Sequence, residues 1–222
     1  MTADEKKISE LFERVSSEMS PYRFAHTVGV ERAALRLGEL YLPDDLYELR
    51  VLGELYLPDD LYELRVAALL HDITKELTVE EHLDILRVNG VEITENILRS
   101  PKTLHARTAE FEARRCFPEY ATDRVCQSLR YHTTGSEKMT LFDAIIYLAD
   151  YIEDTRTFED CVYLRNYFWS AEPQRMPLDE RERHLWRTVY LSLDMTVRDI
   201  ESVGGYISEE TLTAKAAVMK RI

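Results

Sequence analysis

Long apolar stretches are missing from this 222-residue sequence. Its longest apolar runs, such as AIIYLA at 144–149, fall far short of the roughly 20 residues that a membrane-spanning helix needs. The first residues, MTADEKKISELFERV, are charged throughout and do not have the apolar centre of a secretory signal peptide. The sequence therefore predicts a soluble cytoplasmic protein with no membrane partner.

Basic residues and cysteines are also scarce. The chain has 28 Lys and Arg against 41 Asp and Glu, a formal net charge of -13, whereas domains that bind nucleic acid usually carry a basic surface. We therefore expect no nucleic-acid partner, and any anionic substrate must be held by local cations. The three cysteines form no CxxC pair, which favours reduced thiols that serve as packing residues; they are Cys116, Cys126 and Cys161.

Glycine and proline number only seven each and stand mostly where predicted helices end. Apolar residues recur at steps of three and four, as in the first segment, and strand-like alternation is nowhere sustained. Thr78-x-x-Glu81 and Thr140-x-x-Asp143 are capping boxes that predict helix starts. A long helix is expected from about Leu178 to Val203. The sequence therefore predicts an all-α fold.

One segment is repeated exactly, because residues 37–51 and 52–66 both read LGELYLPDDLYELRV. A single perfect pair is typical of a tandem duplication, not of a repeat fold with several diverged copies. We expect the extra 15 residues to form an added turn or helical stub between two core helices. The chain is predicted to be one domain over 1–222, with the site in 20–155 and C-terminal helices in 178–222.

The stretch VAALLHD at 66–72 runs from five apolar residues directly into a histidine and an aspartate. A buried carboxylate is costly unless it is paired or bound to a metal. Histidines also lie on other apolar helix faces, and a second acid, Asp150, follows IIYLA. Each histidine alone is more often an ordinary core residue, but together they predict a metal site with nitrogen and oxygen ligands. Its candidate ligands are His26, His71, Asp72, His105, His132 and Asp150. The remaining histidines, His82 and His184, are expected on the surface.

These residues carry a resemblance to a known family. The segments YRFAHTVGV, AALLHDITKEL, LHARTAEFEA and LRYHTTGSEKMTLFDAIIYLADYIEDTRTF resemble the HD-domain superfamily of metal-dependent phosphohydrolases. Within it they are most similar to the bacterial symmetrical diadenosine tetraphosphatases, the YqeK-like branch. The resemblance covers roughly residues 20–200 and implies an HD-domain helical bundle. The duplicated segment is the departure, since it lengthens the spacing between His26 and His71.

The resemblance implies a dinuclear site with two divalent or mixed-valence ions, iron first, with manganese, cobalt or zinc as alternatives. By position, one ion would be held by His26, His71, Asp72 and Asp150. Asp72 would bridge to a second ion held by His105 and His132. Two such ions can share a hydroxide as nucleophile and clamp the phosphoryl oxygens. The implied reaction is the symmetrical cleavage of diadenosine tetraphosphate, a dinucleoside polyphosphate, to two ADP.

Residues beside these motifs are candidates for catalysis and substrate binding. Asp72 and Lys75 are assigned catalytic roles, and the expected substrate-binding residues are Lys75, Arg130, Thr133, Thr134, Gly135 and Arg156. For the cations the alternative is solvated surface charge, and for Thr133 to Gly135 it is an ordinary helix stop. The resemblance also suggests a homodimer.

The sequence alone leaves two other functions open. One is a different HD phosphohydrolase, acting on a nucleoside monophosphate or a guanosine polyphosphate, for which a one-metal site without His105 and His132 suffices. The other is a non-catalytic HD module that senses nucleotides. The filled ligand positions argue against the second, because burying unpaired histidines and acids is costly.

Overall fold

The computed structural model describes residues 2–41 and 59–222, and within these ranges every regular element is helical. The α-helices are α1 (Ala3–Glu18), α2 (Pro21–Tyr41), α3 (Asp59–Leu70), α4 (Val79–Val88), α5 (Glu95–Arg99), α6 (Leu104–Cys116), α7 (Asp123–Tyr131), α8 (Leu141–Ile152), α9 (Glu159–Ser170), α10 (Leu178–Ser202) and α11 (Glu209–Val218). Short 3-10 turns cover Pro101–Thr103, Pro173–Arg175 and Met219–Arg221. The all-α prediction is confirmed.

Side-chain caps fix where the helices begin. The hydroxyl of Thr78 accepts from the N–H of Glu81 while the Glu81 carboxylate accepts from the Thr78 N–H, and α4 follows. Thr140 and Asp143 form the same reciprocal pair in front of α8. Both predicted capping boxes are therefore present. An additional box, formed by Thr2 and Glu5, starts α1.

The centre of the core is the contact of α2 with α3 and α8. The run from Val66 to Leu70 at the end of α3 is completely buried, as its composition predicts. Gly38 of α2 permits close approach, since a Cβ there would lie 2.6 Å from Leu64 Cδ1. In the next layer α7 contacts both α3 and α8, α6 packs on α7, and α10 packs on α8, α9 and α11.

The two copies of the duplicated segment contribute different parts to this core. Residues 37–41 of the first copy complete α2, and residues 59–66 of the second copy form most of α3. The intervening residues 42–58, where an added turn or helical stub is expected, lie outside the described residues. The contact of Gly38 with Leu64 thus joins the first half of one copy to the second half of the other.

The two histidines expected on the surface are buried, so that prediction is wrong. His82 is 4% exposed because it shares a face of α4 with Leu86, and its Nδ1 lies 2.9 Å from Thr108 Oγ1 of α6. His184 is 7% exposed; its ring stacks on Phe168, and its Nε2 lies 3.0 Å from the Phe168 carbonyl oxygen. In both cases a helix from elsewhere in the chain covers the imidazole.

Two further expectations concern the cysteines and the membrane. All three cysteines are free thiols, with Cys126 and Cys161 buried and Cys116 partly buried. Within 2–41 and 59–222, none of the helices combines the length and apolarity needed to cross a lipid bilayer.

Candidate metal centre

Five separate parts of the fold meet at one buried point between α2, α3, α6, α7 and α8. His26 lies in the second turn of α2, and Asp150 lies in the last turn of α8. The other residues follow directly after α3 and α7 or lie in the first turn of α6; they are His71, Asp72, His132 and His105. Because Ala67 to Leu70 are completely buried, the end of α3 holds the His71–Asp72 pair firmly in the core.

The two carboxylate oxygens of Asp72 face two different sets of histidines. Its Oδ2 lies 3.5 Å from His71 Nε2 and 3.7 Å from His26 Nε2. Its Oδ1 lies 3.5 Å from His105 Nε2 and 3.6 Å from His132 Nε2. Asp150 joins the first set, with its Oδ1 3.0 Å from His26 Nε2 and 4.0 Å from His71 Nε2. One buried carboxylate therefore stands between two groups of imidazole nitrogens.

Hydrogen bonds to helix carbonyls fix the orientation of two of the rings. His71 Nδ1 lies 2.7 Å from the Ala68 carbonyl oxygen, and His132 Nδ1 lies 2.8 Å from the Leu129 carbonyl oxygen. A carbonyl only accepts, so each Nδ1 carries the hydrogen and donates it. In the neutral ring the Nε2 lone pair then faces the cluster, which is how metal-binding histidines are usually held.

Several polar atoms at this point are buried without a hydrogen-bond partner among the described residues. They include His71 Nε2 and Asp72 Oδ1. The side chains of these two residues are no more than 3% exposed, so water does not readily reach them. His105 Nε2 and His132 Nε2 lie 3.1 Å apart. Atoms that bind one metal at about 2.1 Å stand roughly 3 Å from one another. A cation would satisfy these atoms together, whereas unsatisfied buried polar atoms are rare and costly.

The donor set fits a transition-metal ion. Three overlapping groups have ligand atoms that all lie within 4.8 Å of one another: His26, His71 and Asp72; His71, His132 and Asp150; and Asp72, His105 and His132. Imidazole nitrogens with carboxylate oxygens suit iron, manganese, cobalt or zinc. The cluster is therefore able to bind metal. It contains all six side chains predicted as ligands.

Burial and neighbouring charges set the protonation of the cluster. Burial lowers the pKa of His71 to about 4, so that ring is neutral. Burial also opposes the charged form of His26, but the Asp150 and Glu153 carboxylates outweigh it and raise the pKa of His26 to about 9. Burial and Lys75 hold the pKa of His105 well below its usual value. Burial alone would raise the pKa of Asp72, yet the neighbouring His71, a hydrogen bond from His132 and the charge of Lys75 keep it well below the ordinary value.

Three cationic side chains contact the two acids of the cluster. Arg23 Nη1 donates to Asp72 Oδ2 at 2.7 Å, and Arg156 Nη2 donates to Asp150 Oδ1. Lys75 Nζ lies 3.9 Å from Asp72 Oδ1 and 2.9 Å from His105 Nε2. All three remain partly exposed, with 20%, 27% and 34% of the Arg23, Arg156 and Lys75 side chains accessible. They can therefore reach a ligand that enters from solvent.

The sequence interpretation missed two residues of the site. Arg23 precedes His26 by three positions on α2, a spacing that places both on one helix face and could have identified it. Glu153 follows Asp150 by three positions and is buried with its Oε1 3.1 Å from His26 Nδ1. Glu153 directly follows the apolar helix α8, and this position could have identified it as a buried acid of the site.

The remaining predicted binding residues have contacts of other kinds. Arg130 pairs with Glu110 and Glu210, with Nε 3.6 Å from Glu110 Oε1. Thr133 Oγ1 lies 3.0 Å from His105 Nε2, so this hydroxyl belongs to the cluster.

Thr134 and Gly135 make contacts that fit a helix stop. Thr134 is buried, and its hydroxyl donates to the Gly135 carbonyl. Gly135 has a φ of 67°, which favours glycine, and its N–H donates to the Tyr131 carbonyl at 2.8 Å. A Cβ on Gly135 would lie 2.9 Å from Ala214 Cβ of α11, so this turn also packs against the C-terminal helices.

Comparison with known proteins places this chain in a family. The HD domain family model matches residues 23–155. Two proteins named symmetrical bis(5'-nucleosyl)-tetraphosphatase are each 29% identical to this chain. The one from Bacillus subtilis aligns over 145 residues, 65% of this chain and 68% of its own length, and the one from Halalkalibacterium halodurans over 144 residues, 65% and 67%. A protein of the same name from Staphylococcus aureus is 28% identical over 152 residues.

A solved structure shares the fold. It comes from Clostridium acetobutylicum and is described as a predicted HD superfamily hydrolase involved in NAD metabolism. It superposes with a TM-score of 0.76 at 24% sequence identity, over 96% of this chain and 97% of that one. The similarity therefore covers much more of the chain than the segment that carries the candidate ligands.

Proposed function

The chain belongs to the HD domain family, and on that premise we propose that it is a metal-dependent phosphohydrolase that cleaves diadenosine tetraphosphate symmetrically into two ADP. Three relatives bear the name of that activity, and each aligns with about two thirds of this chain. The proposal places the enzyme in the cytoplasm and, from the family resemblance, as a homodimer.

The proposal depends on one observation, that the two carboxylate oxygens of Asp72 face two different pairs of histidines. Its Oδ2 side faces His26 and His71, and its Oδ1 side faces His105 and His132, all between 3.5 and 3.7 Å. A one-metal site would need only one of these sides. We therefore assign His26, His71, Asp72 and Asp150 to one ion, and Asp72, His105 and His132 to a second.

Two ions, when bound, supply positive charge for the phosphoryl oxygens and lower the pKa of water so that it can attack phosphorus. Iron is the first choice, with manganese, cobalt and zinc as alternatives that the same donors would accept. The water oxygen forms a bond to one of the two central phosphorus atoms, and the bridging P–O bond between them breaks. Each half leaves as ADP, and the water protons pass to solvent.

The side chains of this chain would bind and orient the polyphosphate. Arg23, Lys75 and Arg156 lie around the two acids and remain partly exposed. In the present structure their charges are paired with Asp72 and Asp150. Once metal ions share those carboxylates, the guanidinium and ammonium groups can also donate to phosphoryl oxygens, and an arginine does so bidentately. These local cations would allow a chain of net charge -13 to hold a polyanion.

The other predicted substrate-binding residues have at most a supporting role in this proposal. Thr133 is close enough to His105 to act at the same point, with 3.0 Å between its Oγ1 and the ring Nε2. Arg130, Thr134 and Gly135 have protein contacts that account for them without substrate, so the proposal does not depend on them.

The direct test is product analysis. Purified protein loaded separately with Fe²⁺, Mn²⁺, Co²⁺ or Zn²⁺ is incubated with diadenosine tetraphosphate, and the nucleotides are separated by chromatography. Two ADP per substrate, lost on chelation and in Asp72→Asn, would support the proposal. AMP with ATP would show asymmetric cleavage and contradict it. Hydrolysis of a nucleoside monophosphate or a guanosine polyphosphate alone would indicate a different HD phosphohydrolase, and no turnover with any of them would favour a non-catalytic module.

A further inference from the structure

Glu153 is a buried acid beside the cluster that the proposed reaction does not use. It follows α8 directly, is 1% exposed, and its Oε1 lies 3.1 Å from His26 Nδ1. The other nitrogen of that ring, Nε2, faces Asp150 Oδ1 at 3.0 Å and Asp72 Oδ2 at 3.7 Å. Glu153 therefore contacts the side of His26 that points away from the metal-binding atoms.

The carboxylate of Glu153 is itself held in place by the turn that follows α8. Its Oε2 accepts from the Thr155 N–H at 2.6 Å, and its Oε1 accepts from the Thr155 hydroxyl at 2.6 Å. Glu153 thus has a fixed orientation that does not depend on His26.

Gly29 provides the space for this carboxylate. It lies three residues after His26, so it is one turn along the same face of α2. A Cβ at this position would lie 2.3 Å from Glu153 Oε2, much closer than real contacts allow. Any other residue at position 29 would require the carboxylate to move.

His26 needs an acceptor from another element, and this distinguishes it from His71 and His132. Those two rings follow the ends of α3 and α7, where carbonyls three residues earlier are free to accept from Nδ1. His26 lies inside α2, where carbonyls are already used by the helix. A carboxylate that accepts from the outer nitrogen of a ligating imidazole fixes the ring and makes it a stronger ligand.

We propose that Glu153 is a positioning residue for His26, and that Gly29 exists as glycine to admit it. Glu153 accepts the Nδ1 hydrogen of His26 and so directs the Nε2 lone pair at the metal. The inference rests on the proposed role of His26 as a metal ligand.

Metal affinity measures this role apart from turnover. Protein stripped of metal is titrated with Zn²⁺ and with Mn²⁺ against a chromophoric chelator. Glu153→Ala should weaken one of the two sites by about 10- to 100-fold. Glu153→Gln should weaken it less, because an amide oxygen still accepts. Gly29→Ala should weaken it as well, although it removes no donor or acceptor.

A matched variant separates positioning from loop structure. Thr155→Val removes the hydroxyl that donates to Glu153 Oε1 but keeps the backbone N–H that holds Oε2, and it does not touch His26. Its metal affinity should therefore stay close to wild type. In the zinc-loaded protein labelled with ¹⁵N, the Nδ1–H signal of His26 should be sharp and slow to exchange. That signal should broaden or disappear in Glu153→Ala and remain in Thr155→Val.

The outcomes distinguish the two ideas. A wild-type chain that binds two ions, together with a Glu153→Ala variant that binds both with unchanged affinity and keeps the Nδ1–H signal, would overturn the positioning role only. Equal losses in Thr155→Val and Glu153→Ala would also overturn it, since they would show a structural effect of the turn. A wild-type chain that takes up no metal would overturn the proposed function and, with it, the role of Glu153.

Discussion

Replacing His105 with alanine tests whether the cluster holds one ion or two. The His105 Nε2 lies 3.1 Å from His132 Nε2 and 3.5 Å from Asp72 Oδ1, and the side chain is almost completely buried. The change removes one of three side chains assigned to the second ion and leaves the other set intact. We expect close to one metal per chain in place of two, with most turnover lost. Elemental analysis after desalting and the rate of diadenosine tetraphosphate hydrolysis measure both effects.

The thermal stability of His105→Ala, measured with and without metal, tests the same assignment separately. Truncating a buried side chain of this size costs about 2–4 kcal/mol of unfolding free energy whether or not metal is present. An ion that binds only the folded chain, at 100 times its Kd, adds about 2.7 kcal/mol. In a protein of this length, that corresponds to roughly 5–10 °C in Tm. The rise in Tm on adding metal should therefore be smaller by about that amount in His105→Ala than in wild type.

His82→Ala is the matched control. This imidazole is also buried and contacts Thr108 of the same helix α6, but it belongs to none of the three groups of candidate ligands. The variant should lose comparable stability yet keep two ions and near-normal turnover. If His105→Ala instead keeps the wild-type metal content and hydrolyses substrate at a near-normal rate, His105 is not a ligand. The chain would then have a one-metal HD site.

Other predictions test the duplication, the substrate cations and the protonation of the cluster. Deleting residues 43–57 should leave a folded, active enzyme, because two residues then connect α2 and α3, a usual length for a connection between neighbouring helices. Soluble expression, circular dichroism and activity measure this. Insolubility of the variant would show that the segment is part of the core. Arg23→Gln should raise the KM for diadenosine tetraphosphate about tenfold or more, through loss of a charge-assisted contact to phosphate; an unchanged KM would remove Arg23 from the binding site. In metal-free protein the pKa of His71 is lowered to about 4, so the neutral ring stabilises the fold fully above pH 6.5, and this contribution is lost as pH falls towards 4. The full shift corresponds to about 3 kcal/mol, of which about 2 kcal/mol is lost between pH 6.5 and pH 4.5. Urea unfolding at these two pH values would detect the difference, and equal stability at both would contradict it.

The sequence by itself determined the helices and the chemical type of the site. Capping pairs such as Thr78 with Glu81 and Thr140 with Asp143 act across three residues, so their effect can be read directly from the chain. The apolar run before His71 predicts burial for the same reason. Histidines and acids in apolar surroundings also indicate a metal site, because each needs compensation wherever the fold places it.

Only the tertiary structure decided which atoms meet. Arg23 and Asp72 are 49 residues apart in the chain, and His26 and Glu153 are 127 apart, yet both pairs are in hydrogen-bonding contact. The burial of His82 likewise depends on α6, which comes later in the chain. Helical periodicity and capping act over a few residues, whereas these contacts depend on how separate helices pack, and that packing places Asp72 between two sets of histidines.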